Sequence, residues 1–305
     1  MAALDRRTFL VGAAGAAGLV GAGSLLAACG DDGGPPEITT GFLVPTSPDG
    51  FVGPSVIVAG VEQRIAYVLH DGEQVLRGDA PATAEIGIFQ DGEQVAGGVI
   101  ERRNTGPASL PQFEMASYYP VLFTPSVPGV YQARWLDGGD ETGRQFAVLT
   151  AGETAVPQPG DRLPEIHTAT TDDLRGIADL CTRGDDCPFH GTDLAAAVAA
   201  GDKPIVLSIS TPGFCQTEIC GPVIELLIEV AAERDDLHVI HAEVYVDAQA
   251  AVNDGTFPGP TVDIVNEWQL PFEPVLIAAR ADGTIVRRLD ATYDRSELDE
   301  TLALL

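Results

Sequence analysis

Pro204-Ile-Val-Leu-Ser-Ile-Ser-Thr-Pro-Gly-Phe-Cys215-Gln-Thr-Glu-Ile-Cys220-Gly-Pro222 is the stretch that decides how the C-terminal half reads. Residues 204–210 form a continuous apolar run of strand length, the pattern of a buried strand. Two cysteines follow. Residues 222–234 then place Val223, Leu226, Leu227 and Val230 on one side of an amphipathic helix. In a continuous helix, residues five apart are rotated by about 140° and rise by about 7.5 Å, too far for a disulfide. Cys215 must therefore precede the helix, or the segment must turn tightly. Pro222 agrees, because proline is comfortable in a first helical turn and costly later.

Working outward, residues 192–200 are an Ala-rich helix with Thr192 or Asp193 to cap it and Gly201 to stop it. Residues 237–246 read as a second strand and 262–268 as a short helix. Residues 274–280 and 284–289 flank Asp282-Gly283 as a hairpin, and 294–304 form the last helix. The order β-α-β-α-β-β-α predicts a central sheet with helices on both faces.

Residues 42–150 have a different texture. Seven short runs rich in Val, Ile, Tyr and Phe (55–59, 64–70, 83–89, 93–100, 118–124, 130–135 and 144–149) are separated by turn residues. Asp-Gly-Glu-Gln-Val occurs at 71–75 and again at 91–95, and Asp-Gly between apolar runs is a strong hairpin signal. Seven strands over this length suit a β-sandwich. Pro128-Gly-Val-Tyr-Gln-Ala133 resembles the penultimate-strand region of immunoglobulin-like domains. Residues 151–164, with Pro157, Pro159, Gly160 and Pro164, read as a linker to residues 165–305.

The first 28 residues read as an address. Arg6-Arg7 precedes an uncharged run of Ala, Gly, Leu and Val that ends in Leu26-Ala-Ala-Cys29. This resembles a twin-arginine export signal with a lipobox, which implies cleavage before Cys29 and lipidation of its thiol. Residues 29–41 read as a tether. The mature chain is then expected outside the cytoplasm, lipid-anchored to the membrane. With 17 Lys plus Arg against 45 Asp plus Glu, the net charge is −28. That balance argues against nucleic acid as a partner, since phosphates require basic patches.

Of five cysteines, setting Cys29 aside leaves Cys181, Cys187, Cys215 and Cys220. An even number in an exported chain favours pairing. Four cysteines allow three connectivities, and the short spacings make 181–187 with 215–220 the simplest. The first pair would be a structural disulfide closing a polar loop. His190 lies three residues past Cys187, but zinc takes four such ligands and there is no second Cys-x-x-Cys. No residue is therefore assigned to a metal.

The element order, the cysteine pair between first strand and helix, and a proline opening the hairpin resemble the thioredoxin superfamily over residues 165–305. The resemblance implies thiol–disulfide exchange with thiols and disulfides of exported proteins, and no cofactor. Cys215 would attack and Cys220 would resolve. Pro274 would be the family's cis-proline, with Glu273 offering its backbone and Phe214 lining the substrate groove. Apart from the resemblance, Glu243 on the neighbouring strand reads either as an acceptor for the resolving thiol's proton or as a solvent-facing strand residue. The chain departs from the family in having four residues between its cysteines instead of two, Ile209 where many members carry a buried acid, and Phe214 in place of tryptophan. Two other classes are carried along. One is a copper-handling factor resembling the Sco branch, with His167, His190, His238 and His241 as candidate ligands. The other is a binding module whose cysteine pair only braces a loop.

Overall fold

Strand β2 (Gln63–His70) is buried along nearly its whole length, and its alternation divides it between two cores. Ile65, Tyr67 and Leu69 enter one core, while Ala66 and Val68 enter the other. The computed structural model that shows this describes residues 41–46, 55–141, 143–184, 187–214 and 219–305. The expected signal, Cys29, most of the tether and Cys215 lie outside them. On either side of β2 run β1 (Phe42–Pro45) and β5 (Tyr119–Phe123), both antiparallel to it.

A second antiparallel sheet has the order β4-β3-β6-β7, from β4 (Glu93–Glu101), β3 (Thr83–Gln90), β6 (Gly129–Trp135) and β7 (Arg144–Val148). The β3–β4 hairpin turns on Asp91-Gly92, both at positive φ (51° and 85°), as Asp-Gly predicts. Ile86, Ile88, Tyr131, Ala133 and Trp135 face the β2 side chains across a shared core, giving a sandwich-like pair of sheets. Residues 55–59, expected as a strand, make only the bridge Val58↔Leu149. Gly60, at φ 89°, turns the chain away directly afterwards.

The C-terminal half contains a four-stranded sheet in the order β11-β10-β8-β9. It is built from β8 (Ile205–Ile209), β9 (His238–Ala242), β10 (Val275–Ala279) and β11 (Ile285–Asp290), with β8 and β9 parallel and the other pairs antiparallel. Helices α1 (Leu194–Ala200) and α4 (Asp263–Trp268) share a core with Leu207, Ile209 and Ile277. Helices α2 (Cys220–Ala231) and α5 (Arg295–Leu302) share another with Val206 and Leu276, which alternate with those residues and so point to the opposite face. Helix α3 (Ala248–Asp254) is an addition to the expected order. Asp247 caps it by accepting from the Ala250 N–H, and Gly255 in the left-handed region stops it. No helix among the described residues is long and apolar enough to cross a membrane.

The core containing α2 and α5 also takes in Val44, Ala66, Val68 and Tyr118 from the three-stranded sheet. A buried ion pair is set into this region. Arg64 on β2 grips Glu297 on α5 with two hydrogen bonds of 2.6 and 2.7 Å and donates to the carbonyls of Asp290 and Thr292. Tyr118 donates to the same carboxylate at 2.7 Å. Residues 151–164, expected as a loose linker, are packed against both sides. Val156 and Leu163 are core residues, the Pro157 carbonyl accepts from Arg288, Gln158 accepts from Gln63, and the Leu163 N–H donates to Gly283. Residues 37–305 accordingly form one compact unit.

Candidate functional site

The parallel strands β8 and β9 end side by side, and the chain leaving each carries the reactive groups. After β8, Ser210 still bonds to Ala242, and a turn at residues 211–214 closes with the Phe214 N–H on the Thr211 carbonyl. Phe214 is half-buried in this turn. Cys220 then opens α2, fully buried and disulfide-bonded. Its Sγ lies 3.6 Å from Oε2 of Glu273. The Glu273–Pro274 bond is cis, as the resemblance implied, and so is Phe257–Pro258, which was not foreseen.

Glu273 contributes its side chain to the site. Its side chain is buried and accepts the Thr211 N–H. Burial pushes the carboxyl up to about 7, with the Thr211 hydrogen bond opposing. A carboxyl poised near neutrality beside a sulfur can give or take a proton at physiological pH.

Glu243 requires a correction. Rather than serving Cys220, its Oε1 accepts from Thr182, from the N–H at 2.6 Å and the hydroxyl at 3.0 Å. It ties down the loop at residues 181–187. Burial raises its carboxyl to about 7 as well. The Thr182 hydroxyl oxygen also accepts the Gly213 N–H at 3.0 Å, so this loop touches the turn that precedes α2. The approach is close: a Cβ on Gly213 would lie 2.4 Å from the Thr182 carbonyl oxygen. Arg183 adds an ion pair to Glu225 on α2.

The expected disulfide between Cys181 and Cys187 is also corrected, since both thiols are free. Both sulfurs face one histidine instead. His241 Nδ1 is 3.6 Å from the Cys181 sulfur and 3.7 Å from that of Cys187. Cys181 donates to Cys187, which holds the Cys187 thiol below its ordinary value and Cys181 above its own. On the far side of the His241 ring, Nε2 is 3.0 Å from the Ser210 carbonyl oxygen. A carbonyl can only accept, so in the neutral ring Nε2 carries the proton and Nδ1 turns a lone pair toward the sulfurs. His190 completes the group, with its ring 5.0 Å from that of His241. It is 3% exposed, its ring nitrogens have no nitrogen or oxygen partner, and the polar group beside it is the Cys181 thiol.

Of the histidines named from the sequence, the fold thus gathers His190 and His241. His167 pairs with Asp193 and His238 with Asp202 instead. Reading the sequence missed this cluster because its members come from a loop and from a strand 54 residues later. Trp268 and Phe272 are core residues.

Comparison with protein-family models, with curated proteins and with solved structures finds no match for this chain.

Proposed function

We infer that this protein is an extracytoplasmic, lipid-anchored thiol–disulfide oxidoreductase acting on exported proteins. In this reading residues 165–305 are a thioredoxin-like domain, and the sandwich in front of them is immunoglobulin-like and serves as a docking arm. The observation that carries the reading is the buried Cys220 disulfide at the first turn of α2, with the Glu273 carboxyl 3.6 Å from its sulfur. Cys215 is the bonding partner in this proposal.

The exchange follows from that arrangement. A substrate thiolate attacks the Cys215 sulfur, the S–S bond breaks, and its electron pair passes to Cys220. Protonated Glu273 hands its proton to the departing Cys220 sulfur. A second substrate thiolate then attacks the mixed disulfide and displaces the Cys215 thiolate, which the N-terminal end of α2 favours. The substrate leaves as a disulfide and the protein as a dithiol; reduction of a substrate runs the same steps in reverse.

The test is a glutathione titration of the full-length chain, together with trapping by Cys220→Ser. The expected results are a potential above about −300 mV and a stable mixed disulfide between Cys215 and substrate. A lower potential with no trapped species would make the bridge structural and leave the binding-module reading. Cys29→Ala should move the protein out of the membrane fraction; retention there would refute the lipid anchor.

A further inference from the structure

We propose that Cys181, Cys187, His190 and His241 form a four-coordinate zinc(II) site. The site is separate from the exchange reaction, which uses the other cysteines. One ligand atom from each residue lies within 4.8 Å of all the others. A tetrahedral ion with Zn–S near 2.3 Å and Zn–N near 2.0–2.1 Å sets sulfur and nitrogen about 3.6 Å apart. The two sulfurs stand 3.6 and 3.7 Å from His241 Nδ1.

Two further observations point to an ion. The His190 ring is buried and its nitrogens have no nitrogen or oxygen partner; a metal bond would satisfy one of them. His241 is pre-set by its Nε2 contact to the Ser210 carbonyl, the kind of outer hydrogen bond that fixes the tautomer of a ligating histidine. The donor set selects the ion. Two thiolates and two imidazoles suit zinc over hard cations. Four protein ligands leave no open position, so the ion is structural and does not activate water. On binding, the thiol protons pass to solvent. A cavity of about 70 Å³ adjoins the two histidines, lined by His167, His190, His241 and Glu243.

The bound ion would fasten the loop at 181–187 to β9. Through Thr182 and Gly213 it would also hold the turn before α2.

The experiment uses the full-length wild-type chain under non-reducing conditions. One zinc per chain is expected by elemental analysis. Removal by a strong chelator should lower the melting temperature, and added zinc should restore it. Cobalt(II) in place of zinc should give the visible d–d bands of a tetrahedral site with sulfur-to-cobalt charge transfer. Cys181 and Cys187 should resist alkylation until the metal is removed. His190→Gln and Cys187→Ser should each weaken zinc binding by more than about 100-fold, beyond the loss caused by outer-shell changes. If these variants do not fold, the wild-type metal removal and cobalt spectrum still decide. Absence of zinc together with absence of the cobalt bands would overturn the assignment. So would a Cys181–Cys187 disulfide in the native protein by mass spectrometry, or copper(I) binding without zinc binding.

Discussion

Glu273 allows a quantitative test of the site's electrostatics. Its carboxyl is raised from 4.5 to about 7, chiefly by burial. The folded protein therefore keeps this proton to near neutrality, while the unfolded chain releases it near 4.5. Below pH 4.5 both states are protonated and the group costs nothing. As pH rises toward 7 the unfolded state ionises first, and stability falls by about 1.4 kcal/mol per pH unit. Above 7 the loss levels off at roughly 3 kcal/mol. Glu273→Gln mimics the protonated acid, keeps an acceptor for the Thr211 N–H and cannot ionise. Its stability relative to wild type should rise by roughly 3 kcal/mol between acid and pH 8, most of it between pH 5 and 7. Glu243, raised in the same direction, is common to both proteins and cancels. Urea unfolding of the oxidised full-length chain at pH 5, 6.5 and 8 and constant ionic strength would measure the difference. A difference that does not change with pH, or that moves the other way, would refute the buried-acid reading.

Three further outcomes are expected. Arg64→Leu strands Glu297 as an unpaired buried charge and should cost about 3–5 kcal/mol, whereas Arg64→Leu with Glu297→Leu should recover much of that; additive losses by chemical denaturation would show that the pair is not coupled. Gly213→Ala forces a Cβ against the Thr182 carbonyl and should cost about 1–3 kcal/mol, and an unchanged melting temperature would contradict the close approach. Native-state proteolysis should leave residues 151–164 uncut until the whole unit opens, because they are packed on both sides; early release of two stable fragments would mean two independent domains.

Local pattern was sufficient for most elements. The apolar run at 205–209, the helix behind Cys220, the Asp91-Gly92 turn and the hairpin around Asp282-Gly283 all carry their signals within a few residues, and the fold honours them. Pro222 also marked the helix start just behind Cys220, and the family resemblance pointed to Pro274. What the sequence could not reveal were pairings between residues far apart in the chain. Arg64 finds Glu297 across 233 residues because β2 is buried on both faces and its inward arginine needs a counter-charge. Contacts of Val156, Pro157, Gln158 and Leu163 with both sides likewise turn an apparent linker into part of a single packed unit. Glu243 and Glu273 look alike as strand-border acids. Only the ends of β8 and β9 lying side by side assign one to the Thr182 loop and the other to the Cys220 sulfur. Cys181 and Cys187 have the spacing of a small disulfide loop, and nothing local contradicts one. It is the fold that brings His241, with its tautomer set by the Ser210 carbonyl, against both sulfurs. Two thiols facing one imidazole lone pair then become ligands in waiting instead of partners in a bond.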